Sequence, residues 1–459
     1  MKARRILLVL LVIVVLVVAL PVSNLIVGAP TSSLGKVQNP DPEFAKALDV
    51  LQHKCVNCHT TEYKLPLYAG LPFAQGLIKK DIELGLSYVN YLQELQPADG
   101  KPVSEVVLAK TEQVIAQGEM PPARYTLMHW DARMSQADKD AVNAWIHKVR
   151  KEHYATGLAS SGFENEAVQP IPQSIELDQA KVALGDRIYH DKRLSKDDTL
   201  ACASCHAIDK GGTDQAQYST GVGGQLGGIN APTTFNSGYC FVQFWDGRAA
   251  TLEEQANGPV NNPIEMASNW DEVFGKLSQD ADFMAAYTAV YPDGLSKEHM
   301  VDAIAVFERS LITPNSKFDK YLMGDASALT DDEKKGYQLF KDFDCATCHV
   351  GKAMGAQSFE KMGRKGDYFV KRGNPTDADK GRFNVTKNEA DMNKFKVPTL
   401  RNIAKTMPYL HDGTTSDLAQ VVRIMADNQV GKPIDDAQTK LIVAFLNTLT
   451  GEYKGQPLQ

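Results

Sequence analysis

The chain has 459 residues, a formal net charge of −7 and a pI of about 5.9. Acidic and basic side chains are mixed along the chain and form no basic block, which argues against a nucleic-acid-binding surface. A chain of this length is expected to fold into about three domains, each with its own hydrophobic core.

The N-terminus has three basic residues followed by an apolar run from Ile6 to Leu20. This run is intermediate in length between the apolar part of a signal peptide and a membrane-spanning helix. Pro30 follows the small residues at which cleavage would occur and disfavours it, so we predict an uncleaved transmembrane signal-anchor over residues 1–29. A cleaved signal peptide is the alternative. The basic residues keep this end in the cytoplasm, so the rest of the chain is predicted to lie in the periplasm, attached to the bacterial inner membrane.

Six of the seven cysteines belong to three Cys-x-x-Cys-His motifs. The motifs are Cys55/Cys58/His59, Cys202/Cys205/His206 and Cys345/Cys348/His349. In this motif the two thiols attach to the vinyl groups of haem, and the histidine binds the iron. A zinc site is disfavoured because no second Cys or His pair lies nearby to complete a tetrahedron. We therefore predict three covalently bound haem c groups, and we expect the remaining Cys240 to be a small buried apolar residue.

Residues 30–153 are predicted to form an N-terminal c-type cytochrome domain at which electrons enter. Apolar residues at helical spacing precede the first haem motif, and Ser135–Asp138 has the pattern of a capping box before the last helix of the domain. Met120 precedes two prolines, which suits a rigid loop that carries an iron ligand, so we predict Met120 as the second ligand of the first haem iron. Met128, His129 and Met134 are the alternatives.

Residues 154–175 are rich in Gly, Ser and Pro and are predicted to be a linker. An internal repeat follows, because Gly185–Asp191 before the second haem motif resembles Gly336–Asp342 before the third, and a helix with one apolar face ends each copy. The two copies are predicted as domains over residues 176–320 and 321–459. The predicted fold class is all-α, with three c-type cytochrome domains in series behind an N-terminal transmembrane anchor.

Residues from about 176 to 455 resemble the bacterial di-haem cytochrome c peroxidase family. The motifs that carry the resemblance are Phe244–Ala249, Glu253–Pro259, Asn262–Met266, Pro314–Ser316, Val397–Asn402 and Pro408–Gly413. The further haem domain in front of them, together with the predicted anchor, resembles the membrane-bound tri-haem quinol peroxidase branch of that family.

The resemblance implies a role for each matching catalytic residue. The haem at Cys202 and Cys205 is expected to be the peroxidatic haem, with Glu265 as the distal acid–base group and Gln255 as its neighbour. Trp245 is expected to lie between this haem and the electron-transferring haem of the C-terminal domain.

The resemblance also implies ligands. Met425 is expected to be the second ligand of the electron-transferring haem, and a Ca²⁺ ion is expected to be held by the Asn230 side chain and the carbonyls of Thr406 and Pro408. In the relative that matures tryptophan tryptophylquinone, a tyrosine takes the position of Met425. The methionine therefore argues for peroxide reduction rather than protein modification.

The chemistry of peroxide reduction independently favours a role for Glu265. One group above the iron has to take the proton from the inner oxygen of peroxide and return it to the leaving oxygen. Glu265 lies between two apolar residues, and burial favours its protonated form, while the Gln255 amide is suited to donate to a developing oxyanion. The alternative interpretations are a solvated surface carboxylate for Glu265 and a simple core residue for Trp245.

We therefore predict a periplasmic haem peroxidase that reduces hydrogen peroxide to water. Electrons from the quinol pool, or from a small cytochrome c, are predicted to enter at the first haem, pass to the third and end at the second. The alternatives are a cytochrome c-dependent peroxidase without quinol activity, a non-enzymatic tri-haem electron carrier and a haem-based sensor. Neither the carrier nor the sensor turns over peroxide.

Position 222 departs from the family. Most relatives have a distal histidine in the glycine-rich loop, where this chain has Val222, and no histidine lies between His206 and His299. A valine has no lone pair for iron, so we predict that the ferric peroxidatic haem is five-coordinate or bound by water. Met266 is the alternative ligand that a glycine-rich loop could admit.

Overall fold

The computed structural model describes residues 6, 14–15, 18–19, 21–26, 33–37, 41–62, 65, 67–70, 72–96 and 100–458. The chain divides into two compact units, residues 1–154 and residues 155–459. The described residues are mainly helical, as predicted for a chain of cytochrome domains. The division of the second unit between residues 320 and 321 stays a prediction.

The helices of the first unit are α1 (Pro42–Lys54), α2 (Val56–His59), α3 (Pro72–Tyr88), α4 (Tyr91–Leu95), α5 (Glu105–Gln117), α6 (Ala123–Thr126) and α7 (Gln136–His153). In the first half of the second unit the helices are α8 (Gln179–Tyr189), α9 (Cys202–Cys205), α10 (Leu252–Asn261), α11 (Trp270–Leu277), α12 (Ala281–Val290) and α13 (Lys297–Ser310). The remaining helices are α14 (Lys317–Leu322), α15 (Asp331–Asp342), α16 (Tyr368–Arg372), α17 (Phe383–Thr386), α18 (Leu418–Met425) and α19 (Asp436–Asn447).

Strands among the described residues are short. Strand β1 (Phe359–Lys361) pairs antiparallel with β2 (Lys394–Lys396), with Phe359 opposite Lys396. Strand β3 (Glu452–Tyr453) pairs antiparallel with β4 (Gln456–Pro457) near the C-terminus. Neither pair forms a layer of the fold, so the cores are built from helices and loops.

The structure corrects the prediction of a transmembrane anchor over residues 1–29. Among the residues that the structure describes, no helix is both long and apolar enough to cross a membrane. The predicted single-pass location in the bacterial inner membrane is therefore wrong, although much of the predicted segment lies outside the described residues. Within the segment, Asn24 is buried, and its side-chain amide donates to the carbonyl of Met128 at 2.8 Å. A buried amide needs such a protein partner, which hydrocarbon could not supply.

The first unit has a core formed mainly by α1, α5 and α7. Phe44 of α1 packs on Trp145 of α7 with ring centroids 5.8 Å apart. The predicted capping box is present at the start of α7, where Ser135 and Asp138 bond each other's backbone amides. Burying an apolar side chain stabilises the fold by about 1.5–3 kcal/mol, so this small core depends on each of its large residues.

A buried ion pair joins α5 to α7. The Arg150 guanidinium is fully buried and bonds the Glu105 carboxylate at 2.7 Å. Burial raises the pKa of Glu105 to about 7, and the nearby Arg150 acts in the opposite direction. Arg150 also bonds the Glu112 carboxylate of α5 at 2.9 Å, so removing Arg150 would leave two carboxylates without their cation.

The predicted internal repeat is seen in two helix pairs of the second unit. Helix α8 crosses α13 at Gly185, where a Cβ would overlap the carbonyl oxygen of Ala303. Helix α15 crosses α19 at Gly336, where a Cβ would overlap the carbonyl oxygen of Leu441. Only glycine allows backbones to approach this closely, so the two glycines fix equivalent helix crossings in the two copies.

The segment predicted as a linker, residues 154–175, is packed rather than extended. Val168 and Ile171 are buried, and the carbonyl of Ala167 accepts a hydrogen bond from the amide of Gly351 at 2.8 Å. The buried Arg401 donates to the carbonyl of Gln169 at 2.9 Å. Val168 of the segment therefore packs in a core of the second unit, while residues such as Leu158, Gly162 and Glu164 stay exposed.

Candidate functional site

Each of the three Cys-x-x-Cys-His motifs folds into a short helical turn. The histidine amide of each motif donates to the carbonyl of the first cysteine, at 3.2 Å in the first motif and 3.0 Å in the second and third. All six motif cysteines are half-buried. A helical turn places both thiols and the imidazole along one side of the motif, which suits covalent attachment and ligation of one haem.

The third motif departs from the other two in its turn. A 3₁₀ turn spans Cys345–Thr347, so Cys348 lies directly after the turn rather than inside it. The Cys348 amide still donates to the carbonyl of Cys345 at 3.3 Å, and the Cys348 thiol lies 3.8 Å from the Thr347 hydroxyl. The Cys348 thiol thus already has a polar contact in this structure. A contact of that length is weak, so it does not oppose the predicted attachment of haem, which stays a prediction.

Burial of the three motif histidines favours the neutral imidazole, which is the form that binds a metal. Burial lowers the pKa of His59 and His206, and it lowers the pKa of His349 to about 4. A neutral imidazole has the lone pair that binds iron.

The three histidines differ in the hydrogen-bond partner of their ring nitrogen Nδ1. The Nδ1 atoms of His59 and His349 lie 3.2 Å and 3.1 Å from the carbonyls of Val89 and Met354, which leaves Nε2 for iron. The buried Nδ1 of His206 has no hydrogen-bond partner among the described residues. These donor sets fit a haem at each motif.

A cavity of about 310 Å³ lies in the predicted domain of the second haem motif. The predicted acid–base residue, Glu265, is part of its wall. It is lined by Phe244, Arg248, Ala249, Glu254, Asn257, Gly258, Pro259, Asn262 and Glu265. Most of these residues come from α10 and from the loop that follows it. The cavity is large enough for peroxide and for part of a larger group.

Glu265 is half-buried and is held in place by an amide. The Asn262 side chain donates to Glu265 Oε1 at 2.7 Å. Burial raises the pKa of Glu265, while the bond from Asn262 and the charge of Arg248 act in the opposite direction. The carboxyl group therefore keeps its proton to a higher pH than a surface carboxylate does.

The glycine-rich loop lies directly against the backbone of Glu265. The Val222 amide donates to the carbonyl of Glu265 at 2.8 Å. At Gly221 a Cβ would overlap the carbonyl oxygen of Ile264, so glycine is required there. Val222, the position at which the family resemblance led us to expect histidine, is thus next to Glu265 and has an apolar side chain.

Gln255 is not among the residues that line the cavity. Glu254, Asn257 and Gly258 of the same helix line it instead. Successive side chains of an α-helix point about 100° apart, so the Gln255 side chain points away from the direction of Glu254. Asn257 and Asn262 are site residues that the sequence analysis missed. The three-residue spacing between Asn262 and Glu265 in one loop is the signal that could have indicated the second of them.

The backbone at Phe244 is strained beside this cavity. Phe244 has a φ of +65°, a region that residues with a Cβ seldom adopt. The Arg248 guanidinium lies 3.5 Å from the centre of the Phe244 ring and bonds Asp246 at 3.1 Å. Such strain costs about 1–3 kcal/mol and is concentrated at functional sites.

Trp245 joins the two repeats of the second unit. Its indole nitrogen donates to the carbonyl of Asn230 at 2.9 Å, and its ring packs edge-on against His411 at 6.4 Å. The amide of Lys396 donates to the Trp245 carbonyl at 2.8 Å. Trp245 therefore contacts both copies, and its role between two haems stays a prediction.

The predicted calcium ligands lie near the same junction. The amide of Asn230 donates to the carbonyl of His411 at 2.8 Å, which places Asn230 beside the loop that contains Pro408. The Asn230 side-chain nitrogen donates to the carbonyl of Ala216 at 2.9 Å. The Thr406 hydroxyl donates to the carbonyl of Ile403 at 3.3 Å. Calcium binding by Asn230, Thr406 and Pro408 stays a prediction.

A second group of possible metal ligands is satisfied by an arginine. The ligand atoms of Asp379, His411 and Asp412 lie within 4.8 Å of one another. Arg372 bonds both carboxylates, and His411 bonds Asp379 at 2.7 Å. Burial acts to raise the pKa of Asp379, but these bonds outweigh that effect and lower the pKa to about 2. The guanidinium thus supplies the positive charge that a cation would otherwise bring.

The predicted methionine ligands occupy different settings. Met425 is half-buried at the end of α18, directly before a π-helical turn over Ala426–Val430, a feature frequent at functional sites. Met120 is 37% exposed on the loop after α5. Among its alternatives, Met134 packs on the core of the first unit, and His129 Nε2 is hydrogen-bonded to Tyr68. Both methionine assignments stay predictions.

Cys240, expected to be buried, is only half-buried. It follows a short 3₁₀ turn over Ser237–Tyr239, and its amide donates to the carbonyl of Ser237 at 3.0 Å. The prediction of a fully buried residue is therefore not met in this structure.

Comparisons with protein-family models cover most of the chain. A model described as a haem-binding domain matches residues 12–148, and one described as di-haem cytochrome c peroxidase matches residues 179–327. A model described as cytochrome c matches residues 333–450. Each match contains one of the three haem motifs.

Individual proteins are similar over long stretches. A cytochrome c peroxidase of Escherichia coli (strain K12) is 50% identical over 415 residues, which cover 90% of this chain and 89% of the relative. A cytochrome c551 peroxidase of Nitrosomonas europaea is 45% identical over 299 residues, 64% of this chain and 88% of the relative. The solved structure of a MauG-like protein associated with microbial copper homeostasis matches 61% of this chain and 95% of its own, with 28% identity and a TM-score of 0.57.

Proposed function

Because the chain belongs to the di-haem cytochrome c peroxidase family and is a haem-binding oxidoreductase that acts on peroxide, we propose that it reduces hydrogen peroxide to water beside Glu265. The observation that carries the proposal is the half-buried Glu265 carboxylate, held by Asn262 at 2.7 Å in a cavity of about 310 Å³. Each peroxide takes up two electrons and two protons and leaves as two waters.

The mechanism follows from the residues around the cavity. Haem, when bound at Cys202, Cys205 and His206, supplies the iron and the electrons for cleavage of the oxygen–oxygen bond. Glu265 takes the proton from the inner oxygen of peroxide and returns it to the outer oxygen, which leaves as water. Asn262 fixes the carboxylate for this transfer. The Asn257 amide, which also lines the cavity, is suited to donate to the departing oxygen.

We extend the proposal to the ligands and to the number of haems. Three haem c groups are bound, one at each motif, and the thiols that attach them are those of Cys55, Cys58, Cys202, Cys205, Cys345 and Cys348. The proximal ligands are His59, His206 and His349. Met120 and Met425 complete the first and third iron sites. A calcium ion held by Asn230, Thr406 and Pro408 fixes the junction at which Trp245 links the two copies.

The donor of electrons is proposed to be a quinol that reacts at the first unit. The relative named as a cytochrome c551 peroxidase matches only 64% of this chain, although it is aligned over 88% of its own length. The haem-binding domain model matches residues 12–148, outside the residues matched by the di-haem cytochrome c peroxidase and cytochrome c models, and this additional domain supports a separate route for electrons. A small cytochrome c is the second candidate, favoured by the printed names of the relatives. The predicted anchor no longer supports the quinol assignment.

The test is steady-state peroxide consumption by the haem-loaded protein with a short-chain quinol and with a reduced small cytochrome c, offered separately. We expect turnover with the quinol. Turnover with the cytochrome alone would replace the donor but keep the peroxidase. Absence of peroxide turnover with every donor, including an artificial one, would contradict the proposed function.

A further inference from the structure

One closed loop forms part of the cavity wall. The Gln243 amide donates to the carbonyl of Ala249 at 2.8 Å and closes a loop over residues 243–249, which we call the cavity loop. Phe244, Arg248 and Ala249 of this loop line the cavity. The position of the cavity loop therefore determines where one wall of the proposed peroxide site lies.

The cavity loop has a strained backbone. Phe244 and Gly247 have φ values of +65° and +67°, in the left-handed region. Within the loop, the Arg248 guanidinium bonds the Asp246 carboxylate at 3.1 Å and lies over the Phe244 ring. Strained backbone persists only where the surrounding structure holds it from several sides. The contacts that the loop receives from other segments therefore maintain its shape.

Arg382 supplies two of those contacts from the second copy of the repeat. Its Nη1 atom donates to the carbonyl of Asp246 at 3.0 Å and to the carbonyl of Gly247 at 2.8 Å. The Arg382 backbone is itself held, because its amide donates to the carbonyl of Lys394 at 2.7 Å. A guanidinium on a fixed backbone therefore binds the turn at Asp246 and Gly247.

An aromatic ring packs against the same turn. A Cβ on Gly247 would lie 2.2 Å from the ring of Phe359, so glycine is required there. The Arg382 guanidinium lies 4.7 Å from the centre of the Phe359 ring. One residue before the turn, the Trp245 carbonyl accepts a hydrogen bond from the Lys396 amide at 2.8 Å. The second copy therefore contacts the turn through a guanidinium, a ring and a backbone amide.

No carboxylate competes for the Arg382 guanidinium. Arg382 is half-buried, and it forms no ion pair with a carboxylate in the part of the chain that the structure describes. The nearby Asp391 carboxylate pairs with Lys394 at 3.1 Å instead. Hydrogen bonds from a charged donor are about twice as strong as those between neutral groups. The guanidinium therefore binds the cavity loop firmly.

We propose that Arg382 is a positioning residue for peroxide reduction, whose guanidinium holds the cavity loop so that Phe244 and Arg248 form the cavity wall. Arg382 is not among the residues that line the cavity, so it acts through the loop and not on peroxide. One copy of the repeat thereby shapes the peroxide site of the other. This proposal rests on the proposed function, in which peroxide is reduced in this cavity.

The experiment compares Arg382→Ala and Arg382→Lys in the haem-loaded protein, with peroxide varied and an artificial one-electron donor in excess. Misplacing part of a site by about 1 Å is enough to lower a rate about 10²-fold. Arg382→Ala should therefore lower kcat/KM for peroxide about 10²-fold and raise the KM. Arg382→Lys should lie between Arg382→Ala and the wild type, because lysine keeps the charge but loses the planar group that stacks on Phe359.

Lys380→Ala is the matched control. Lys380 lies two residues before Arg382, is exposed, and pairs with the exposed Asp377 at 2.7 Å. It has no contact with the cavity loop, so its removal should leave both kcat and the KM for peroxide at their wild-type values.

Hydrogen–deuterium exchange reports the state of the cavity loop without turnover. The amides of residues 243–249 should exchange faster in Arg382→Ala than in the wild type, because the turn has lost its guanidinium. The amides of helix α13 should keep their wild-type rates in the same variant. Lys380→Ala should leave the exchange of both segments unchanged.

A purely structural role would give a different pattern. Partial unfolding would lower kcat by removing active molecules, leave the KM unchanged and speed exchange in α13 as well. That pattern, or an unchanged kcat/KM in Arg382→Ala, would overturn the proposal while the proposed function stands. If Arg382→Ala does not fold, Arg382→Lys decides in the same way. Absence of peroxide turnover by the wild-type protein with every donor would overturn the proposed function and this proposal together.

Discussion

At the scale of single residues, the proposed peroxide site depends on one carboxyl group that is partly buried and hydrogen-bonded. Glu265 is partly desolvated by the cavity wall, and Asn262 orients it, so one group is suited both to accept and to return a proton. The strained Phe244 and the glycine at 221 place the surrounding loops close to it. The surrounding fold offsets that strain.

Replacing Glu265 with Gln tests this role. The amide keeps the shape of the side chain but cannot take up the peroxide proton, so peroxide turnover should fall about 10²-fold or more. Steady-state peroxide consumption with an artificial donor measures the effect. The control is Glu272→Gln, a carboxylate near the start of α11 that lies outside the cavity lining. Unaltered turnover in the Glu265 variant would remove this residue from the mechanism.

Val222 predicts the resting state of the peroxide site. The residue next to Glu265 has no lone pair, so the ferric protein should show one high-spin haem beside two low-spin haems and should react without a lag. Electron paramagnetic resonance of the oxidised protein checks this outcome. Three low-spin haems, with a lag that pre-reduction removes, would show that Met266 or another side chain replaces the missing histidine.

At the scale of elements, the helix that ends the first copy carries an unusual buried acid. Glu308 of α13 is buried, and its Oε2 has no hydrogen-bond partner among the described residues. Burial raises the pKa of Glu308 from 4.5 to about 8, against an opposing effect of Arg309. The folded protein therefore keeps this carboxyl protonated at neutral pH.

The sign of the resulting pH dependence follows from the raised pKa. The unfolded chain releases this proton near pH 4.5 and the folded protein near pH 8, so Glu308 makes the free energy of unfolding fall between those values. The fall is about 1.4 kcal/mol per pH unit at most. Glu308→Gln should flatten it in urea unfolding at pH 5 and pH 7.5. Glu298→Gln, an exposed residue of the same helix, should not. Equal slopes in the wild type and Glu308→Gln would contradict the prediction.

At the scale of the whole molecule, the chain has two compact units, and the di-haem cytochrome c peroxidase and cytochrome c models match residues of the second. Unit 155–459 contains the cavity, Trp245 and two haem motifs, so it has the residues proposed for peroxide reduction. Unit 1–154 contains the first haem motif. Donor oxidation and peroxide reduction are thus assigned to different units.

Deleting residues 1–153 separates the two activities. The remaining unit should keep peroxide turnover with an artificial donor and lose turnover driven by quinol. Parallel assays of the intact and shortened proteins with both donors measure this. Quinol oxidation at the full rate by the shortened protein would show that electrons do not enter through the first unit.

The sequence alone determined the features that depend on local chemistry. The haem motifs, the capping box at Ser135 and the repeat around Gly185 and Gly336 follow from fixed spacings along the chain, and the helical fold follows from apolar periodicity. Glu265 was proposed from the contiguous motif Asn262–Met266, and its catalytic role stays a prediction.

Only the tertiary structure decided the features that depend on distant residues. It showed that Val168, Gln169 and Ile171 of the predicted linker are buried, that Asn257 lines the cavity while Gln255 does not, and that no described helix is long and apolar enough to cross a membrane. Spacing along a chain does not reveal such contacts, because they arise from the way helices pack and from which side of each helix becomes buried.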